Sequence, residues 1–572
     1  MERVPDWPNT ATMMLSLARH WAGRPFLRHF CDGAWHRLTW GEFGDRVGAV
    51  ARGLRRAGIS AGDRVVIVSE NRPEFPISEL ALQAIRAVPV PTYVTNTIAD
   101  HAHILSDSGA TAAIVATASL AAKLRQAGTL DALICMEPAP GCLLWSELAA
   151  DREGFADIAA EAADIPKGAL AVILYTSGTS GVPRGVMLPH RALIANCRSA
   201  FEFVRPLRLE REVYLSFLPL SHAYEHTVGQ FFLPLTGTEI VYARGIEHLA
   251  ADMLSVRPTI MTMVPRILEV IRARILGQVA REKPWKQRLF HQAIAIGRKR
   301  VEGQPLRLWE RLLDPVLERL VRRKLRARFG GRFRAAMSGG ARLEPEVGRF
   351  FQAIGIELMQ GYGQTEAGPV ISAVGPPSTR VDTVGQPLEN VELRIAADGE
   401  ILVRGDLVMD GYWGRPEDTA RTLEDGWLHT GDIGRLEPDG SLVITDRKKD
   451  VIVLSGGENV SPARIEGLLI AEPAIAQAVV AGDGRAALSA LIVPADGFDE
   501  MAVSQAVTEV NKRLSVTERV RRHAVVAPFT IENGLLTATQ KIRRSLVIQA
   551  YQGLLEELAG HARQSDAGLT RR

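Results

Sequence analysis

Between residues 40 and 180 short apolar runs alternate with stretches of helical periodicity. Arg64-Val-Val-Ile-Val-Ser69, after the turn Ala61-Gly-Asp63, reads as a strand, and so does Ala112-Ala-Ile-Val-Ala116. Ser78 to Ala87 has apolar positions at helical spacing. A further run, Leu170 to Leu174, predicts a buried strand, and the pattern resumes at Glu239–Tyr242 and Thr259–Met263. Strands separated by helices of this length predict parallel α/β layers. From about residue 390 the character changes. Val391–Ile395, Glu400–Arg404 and Ser441–Thr445, with turns at Asp398-Gly and Asp439-Gly, predict a small antiparallel sheet. The charged cluster Asp446-Arg-Lys-Lys-Asp450 marks a boundary, followed by a segment long enough to fold alone. The polar tail after Ala562 is expected to be disordered.

Residues 266–330 break this rhythm and predict three helices. Ile267, Leu268, Ile271, Ile275 and Val279 share a face of the first; Leu289, Phe290, Ala293 and Ile294 mark the second; Leu317, Leu320, Val321 and Leu325 mark the third. Within 271–330 there are 17 Lys and Arg against 5 Asp and Glu, in a chain whose formal net charge is only +3. The block reads either as a solvated helical hairpin or as a surface for an anionic membrane or acidic ligand. No recognition module accompanies it, so nucleic acid is not expected.

The 572 residues suggest about four domain-sized units, and 46% hydrophobic with 23% charged residues is ordinary globular composition. Four dispersed cysteines fit neither a disulfide framework nor a zinc site and predict a reducing compartment. The N-terminus carries no secretory pattern and no apolar run suits a membrane-spanning helix, so a cytoplasmic location is expected.

Six clusters carry candidate chemistry. Tyr175-Thr-Ser-Gly-Thr-Ser-Gly-Val-Pro-Arg-Gly185 combines glycines, which let backbone N–H groups approach a ligand, with the hydroxyls of Thr176, Ser177, Thr179 and Ser180 and the charge of Arg184. That mix suits a polyphosphate, although Gly178 and Gly181 do not match P-loop spacing. Leu218 to His226 contains His222-x-x-Glu225-His226, an inverted zinc-protease signature on its face, but Pro219 suits passage from strand to loop better than a helix through both histidines. Met337-Ser-Gly-Gly-Ala341 predicts a tight turn able to take a flat ring against its backbone. Gln360-Gly-Tyr-Gly-Gln-Thr-Glu-Ala-Gly368 offers the aromatic face of Tyr362, the Thr365 hydroxyl and the Glu366 carboxylate, a hard oxygen ligand suited to Mg²⁺. Trp427 to Asp432 places a carboxylate where a sugar diol could bind, and Leu536 to Arg544 holds Lys541 in a polar loop.

In this order the clusters resemble the acyl-adenylate-forming superfamily of acyl-CoA synthetases, luciferases and adenylation domains. The resemblance spans about residues 30–550 and looks nearest to long-chain fatty acyl-CoA synthetases, which carry a basic helical insertion like 266–330 and an ending like Glu532 to Lys541. It implies a large N-terminal domain, 1–447, with mixed and parallel sheets flanked by helices plus a small β-barrel-like sheet. A small mobile α+β domain, 448–562, and a tail, 563–572, would follow. It implies that Thr176, Ser177, Gly178, Thr179, Ser180, Gly181 and Arg184 hold the ATP phosphates, and that Glu366 with Thr176 binds Mg²⁺. Gly339, Gly340, Ala341 and Tyr362 would enclose adenine, Gln360, Gly361, Gly363 and Thr365 would belong to the same nucleotide site, and Asp432 and Arg447 would take the ribose. Lys541 would act in adenylation, His222 would stand by the acyl carboxylate and Lys449 would be the hinge. Ser455, Gly456, Gly457 and Glu458 would approach CoA. The implied activity is conversion of a long- or medium-chain fatty acid to acyl-AMP and then acyl-CoA, with membrane contact at the inner face through 271–330 and a homodimer as further expectations. Ser180, Arg184, His226 and Ala538 depart from the usual residues; Arg184 keeps its charge, and His226 bears on chain length rather than chemistry. Alternatives are an acyl- or aryl-adenylate ligase loading a carrier protein, and a nucleotide-binding scaffold with a decayed site.

Overall fold

A computed structural model describes residues 4–176, 182–209, 211–375, 380–537 and 541–566. Where length suggested about four units, the chain forms two compact ones. The larger comprises 1–394, 402–429 and 437–442; the smaller comprises 395–401, 430–436 and 443–572.

In the larger unit the predicted strands at 64 and 112 form a parallel sheet, ordered Val88–Thr92, Arg64–Val68, Ala112–Val115, Ala132–Cys135, Leu143–Leu144. Val65 to Val68 are fully buried, which is why the run is continuously apolar rather than alternating. The helix expected at 78–87 spans Glu74–Ala84; the chain then turns through Arg86 at φ 63°, a conformation that ends the helix. Gly48 in the helix Trp40–Arg56 permits close packing: a Cβ there would lie 2.3 Å from the Gly154 carbonyl oxygen.

The second sheet has nine strands. Its centre is parallel, running Glu239–Tyr242, Val213–Ser216, Ile260–Met263, Ala335–Ser338, Glu357–Gly363; Val370–Val374 joins antiparallel beyond the last. All carboxyl ends of the parallel strands therefore face one way, the side on which open α/β sheets bind ligands. A third sheet pairs Leu170–Thr176 with Arg184–Pro189, and Gly411–Tyr412 adds to its edge.

The basic block forms the three predicted helices: Pro265–Ala280, Pro284–Val301, and Leu308–Leu317 continued by a π-turn to Ala327. Leu268, Ile275, Phe290 and Leu325 enter a core with Phe329, Phe350 and Phe351. Leu317 is buried, but Leu320 is 46% exposed.

The smaller unit is α+β. Ile475–Ala481 pairs antiparallel with Leu488–Pro494, which pairs parallel with Val520–Val525. Alternate residues serve two cores. Ala478, Val480, Ala490 and Ile492 pack with Ile465, Leu469, Val503 and Val507, while Val479, Leu491 and Val493 pack with Phe529, Val547 and Leu555. The last helix runs to Asp566, past Ala562 where disorder was expected.

Candidate functional site

In the larger unit, Thr176 and Arg184 face each other across a hairpin. Its loop residues Ser177, Gly178, Thr179, Ser180 and Gly181 lie outside the described residues. Gly185 is required at its base, since a Cβ there would sit 2.8 Å from Ile173 Cγ2 and 3.1 Å from the Tyr175 ring. Tyr175 Oη donates to Asp107 Oδ2 at 2.7 Å, and Arg415 pairs with the other oxygen at 3.2 Å, fixing the strand end.

The Arg184 guanidinium lies 4.2 Å from the Tyr412 ring centroid and 3.9 Å from the Asp418 carboxylate, and its buried Nε has no hydrogen-bond partner among the described residues. Tyr412 Oη donates to Glu366 Oε1 at 2.9 Å. Burial, then the Glu366 charge, pushes the Tyr412 phenol above its ordinary value, so it remains a donor. Tyr412 thus holds the base of the Ser/Thr/Gly loop with one face and the carboxylate with its hydroxyl. Sequence reasoning gave Tyr412 no role. It is 46 residues from Glu366, and no local pattern marks it.

Gln360 to Gly363 complete a strand rather than a loop, and Thr365 to Ala367 form a 3-10 turn directly after it. Met409 N–H donates to the Glu366 carbonyl at 3.0 Å. Gly363 permits this turn: a Cβ would fall 1.9 Å from the Pro369 carbonyl oxygen. Tyr362 is buried, so it does not offer an open aromatic face. Gly339, Gly340 and Ala341 follow the neighbouring strand; Gly340 has φ 79° and Gly339 lies against the Tyr224 ring. Tyr224 donates to the Met337 carbonyl at 2.9 Å, another contact that sequence spacing did not reveal. Among the described residues, buried Ser338 Oγ, Gln360 Oε1 and Gln364 Nε2 lack protein partners along this edge, which suits a polar ligand.

His222 follows the strand Val213–Ser216 at the same side of the sheet. The amide of Asn71 pins the loop, donating to Ser216 Oγ at 3.0 Å and to the Leu218 carbonyl at 2.7 Å while accepting from Leu220 N at 3.0 Å. The zinc signature is not used as one. Glu225 is fully buried and accepts from Tyr214, Ser216 and Thr262 hydroxyls at 2.5 to 2.8 Å; burial holds its carboxyl above the usual value against those bonds. His226 Nε2 lies 2.6 Å from buried Glu79. Among the described residues no cluster of three metal-ligating side chains exists. Glu366 fits Mg²⁺ in another manner, since that ion takes one or two carboxylates and fills its remaining positions with water and substrate phosphate.

Within the smaller unit, Asp432 is 4% exposed and accepts from Arg447 Nε at 3.1 Å. Asp432 lies in a strand, Trp427–Leu436, not a turn. Lys448 pairs with Asp398 at 2.6 Å and Glu400 at 2.9 Å, and Gly431 N–H donates to Glu400 at 2.9 Å, which fixes the backbone beside Asp432. Lost hydration and then the Arg447 charge lower the Lys541 pKa to about 8, with Asp432 opposing. A carboxylate and two cations thus come together from the predicted set. The Lys541 loop closes on itself: Thr537 N–H donates to the Lys541 carbonyl at 2.8 Å and Lys541 N–H to Thr537 Oγ1 at 3.0 Å. Lys449 follows in the turn after Arg447. Ser455, Gly456, Gly457 and Glu458 form an exposed turn, with Gly457 at φ 86°.

Comparison with known proteins identifies the family and the fold. The AMP-binding enzyme family matches residues 17–413, and the AMP-binding enzyme C-terminal domain matches 449–561. The long-chain-fatty-acid–CoA ligase FadD15 of Mycobacterium tuberculosis is 33% identical over 97% of this chain and 98% of its own. Long chain acyl-CoA synthetase 6, peroxisomal, of Arabidopsis thaliana is 31% identical, covering 94% of this chain and 84% of its own. The crystal structure of the anthranilate CoA ligase AuaEII in complex with anthranoyl-AMP has the same fold, with a TM-score of 0.75, 19% identity, and coverage of 96% and 98%. The chain belongs to the AMP-binding enzyme family, as its resemblance to acyl-adenylate-forming enzymes implied.

Proposed function

We propose that the protein activates a long- or medium-chain fatty acid with ATP and transfers the acyl group to CoA. A carboxylate oxygen attacks the α-phosphorus, the bond to the pyrophosphate oxygen breaks, and acyl-AMP forms. The CoA thiolate then attacks the acyl carbon and AMP departs. The observation that carries the reading is the linkage of Arg184, Tyr412 and Glu366, which joins the base of a polyphosphate-type loop to an acidic residue.

The residues have distinct roles in this proposal. Thr176, the 177–181 segment and Arg184 hold the phosphates, Arg184 offsetting negative charge from a fixed stacked position. Gly339 to Ala341 and Gln360 to Gly363 present backbone to the adenine ring; Asp432 accepts from the ribose hydroxyls and Arg447 donates to them. Glu366 and Thr176 would hold Mg²⁺, which supplies charge neutralisation at phosphate oxygens. His222 stands by the acyl carboxylate. Lys541, as an ammonium, stabilises charge at the α-phosphate in the first step. Domains 1–447 and 448–562 with a hinge at Lys449 would let the turn 455–458 replace Lys541 in the second. Contact of 271–330 with an anionic membrane surface and homodimer formation extend the proposal.

The test measures AMP and pyrophosphate release with fatty, aryl and short acids, offering free CoA or a carrier protein. Release with fatty acids and acyl transfer to CoA supports the reading. Transfer only to the carrier protein, or turnover only with aryl acids, contradicts it.

A further inference from the structure

The helix Leu308–Leu317 and its continuation to Ala327 bury Leu317 and Leu325 on the inner side and carry a second apolar stripe on the outer side. Leu308 is 76% exposed, Trp309 49%, Leu312 74%, Val316 46% and Leu320 46%. Their spacing places them on one outward stripe. The acids on the same helix turn the other way. Glu310 is buried and pairs with Lys299 at 2.6 Å, Asp314 pairs with Arg300 at 2.9 Å and also with Arg322, and Glu318 pairs with Arg322 at 2.9 Å and also with Arg326.

Those internal pairs consume the negative charge and leave the outer face cationic. Arg307, Arg311, Arg319, Arg323 and Lys324 are exposed and, among the described residues, have no ion pair. Apolar side chains bordered by unpaired cations, with no anion between them, match an anionic bilayer surface. The hydrocarbon boundary takes up the leucines and tryptophan, and the headgroup phosphates take the arginines. No described helix is long and apolar enough to cross a membrane.

We infer that the outer face of residues 307–324 inserts into the interface of an anionic lipid bilayer, with Leu308, Trp309, Leu312, Val316 and Leu320 buried among acyl chains. The inference rests on the membrane contact proposed above from charge and adds hydrophobic insertion to it. It places the enzyme where fatty acids partition.

The full-length protein is floated with vesicles of phosphatidylcholine, with and without phosphatidylglycerol. Tryptophan quenching by brominated acyl chains is compared between the wild type and Trp309→Phe. The expected result is binding that needs phosphatidylglycerol, a quenched component absent in Trp309→Phe, and roughly a tenfold fall in partitioning for Leu308→Ser/Leu312→Ser. Ligase activity of that variant on a water-soluble medium-chain fatty acid, without lipid, should be unchanged. Absence of that activity from the wild type would strike the proposed function instead. Phosphatidylglycerol-dependent binding with no Trp309 quenching and no effect of the double variant would mean charge adsorption alone and overturn insertion. A dimer that the double variant converts to monomer in sedimentation would show a second copy on the stripe, and would equally overturn it.

Discussion

Tyr412→Phe removes one hydroxyl from the centre of the proposed nucleotide site and leaves its ring. The lost bond is the 2.9 Å donation to Glu366 Oε1. A hydrogen bond to a charged acceptor contributes about 1.5–3 kcal/mol, and Glu366 is half-buried, so the lower end applies. About 1.5 kcal/mol corresponds to roughly a tenfold fall in kcat/KM for adenylation, if Glu366 must be held in place for the first step. The Arg184 stack, 4.2 Å from the ring centroid, should survive, so Tyr412→Ala should fall further. The assay is pyrophosphate release at varied Mg²⁺, paired with acyl transfer from supplied acyl-AMP. Adenylation should fall with a raised Mg²⁺ requirement while the thioester step holds. Adenylation within twofold of wild type, or equal loss in both steps of a folded protein, would refute the reasoning.

Further outcomes follow from other contacts. Lys541→Ala should abolish adenylation and spare acyl transfer from acyl-AMP; equal loss in both would refute the assignment. Because Lys541 is lowered to about 8 and must carry its proton in the first step, adenylation kcat/KM should fall as pH rises through 8, and a flat profile to pH ~10 would contradict this. Gly363→Ala forces a Cβ to within 1.9 Å of the Pro369 carbonyl oxygen, so it should lower stability by about 2–3 kcal/mol in urea unfolding and displace Glu366; a neutral effect on both would refute the close-approach argument. Glu79→Ala strands His226 and Gln230 as buried groups, and should cost about 3 kcal/mol by the same measurement; under about 1 kcal/mol would show that the network carries little.

The regular elements were legible because burial writes itself into periodicity. The all-buried Val65–Val68 strand and the three insertion helices are plain in the sequence. Candidate site residues stand out in the sequence as local mixtures of glycine, hydroxyl and carboxylate. Contacts between distant segments were not. Tyr412, Asn71 and Glu79 each act across the chain on a predicted motif, and nothing in their neighbours betrays it. The zinc-like H-x-x-E-H shows the converse: its spacing fits a metal, but the Tyr214, Ser216 and Thr262 hydroxyls and Glu79 occupy Glu225 and His226 instead. The outward stripe at 308–320 was hidden because periodicity reports an apolar face without saying which way it points.

The most direct measurement of the central claim is ATP–pyrophosphate exchange without CoA. Exchange that appears only when a fatty acid is added, and vanishes in Lys541→Ala, is the predicted result. Exchange that ignores the acid, or none until CoA is supplied, would contradict an acyl-adenylate formed by this protein.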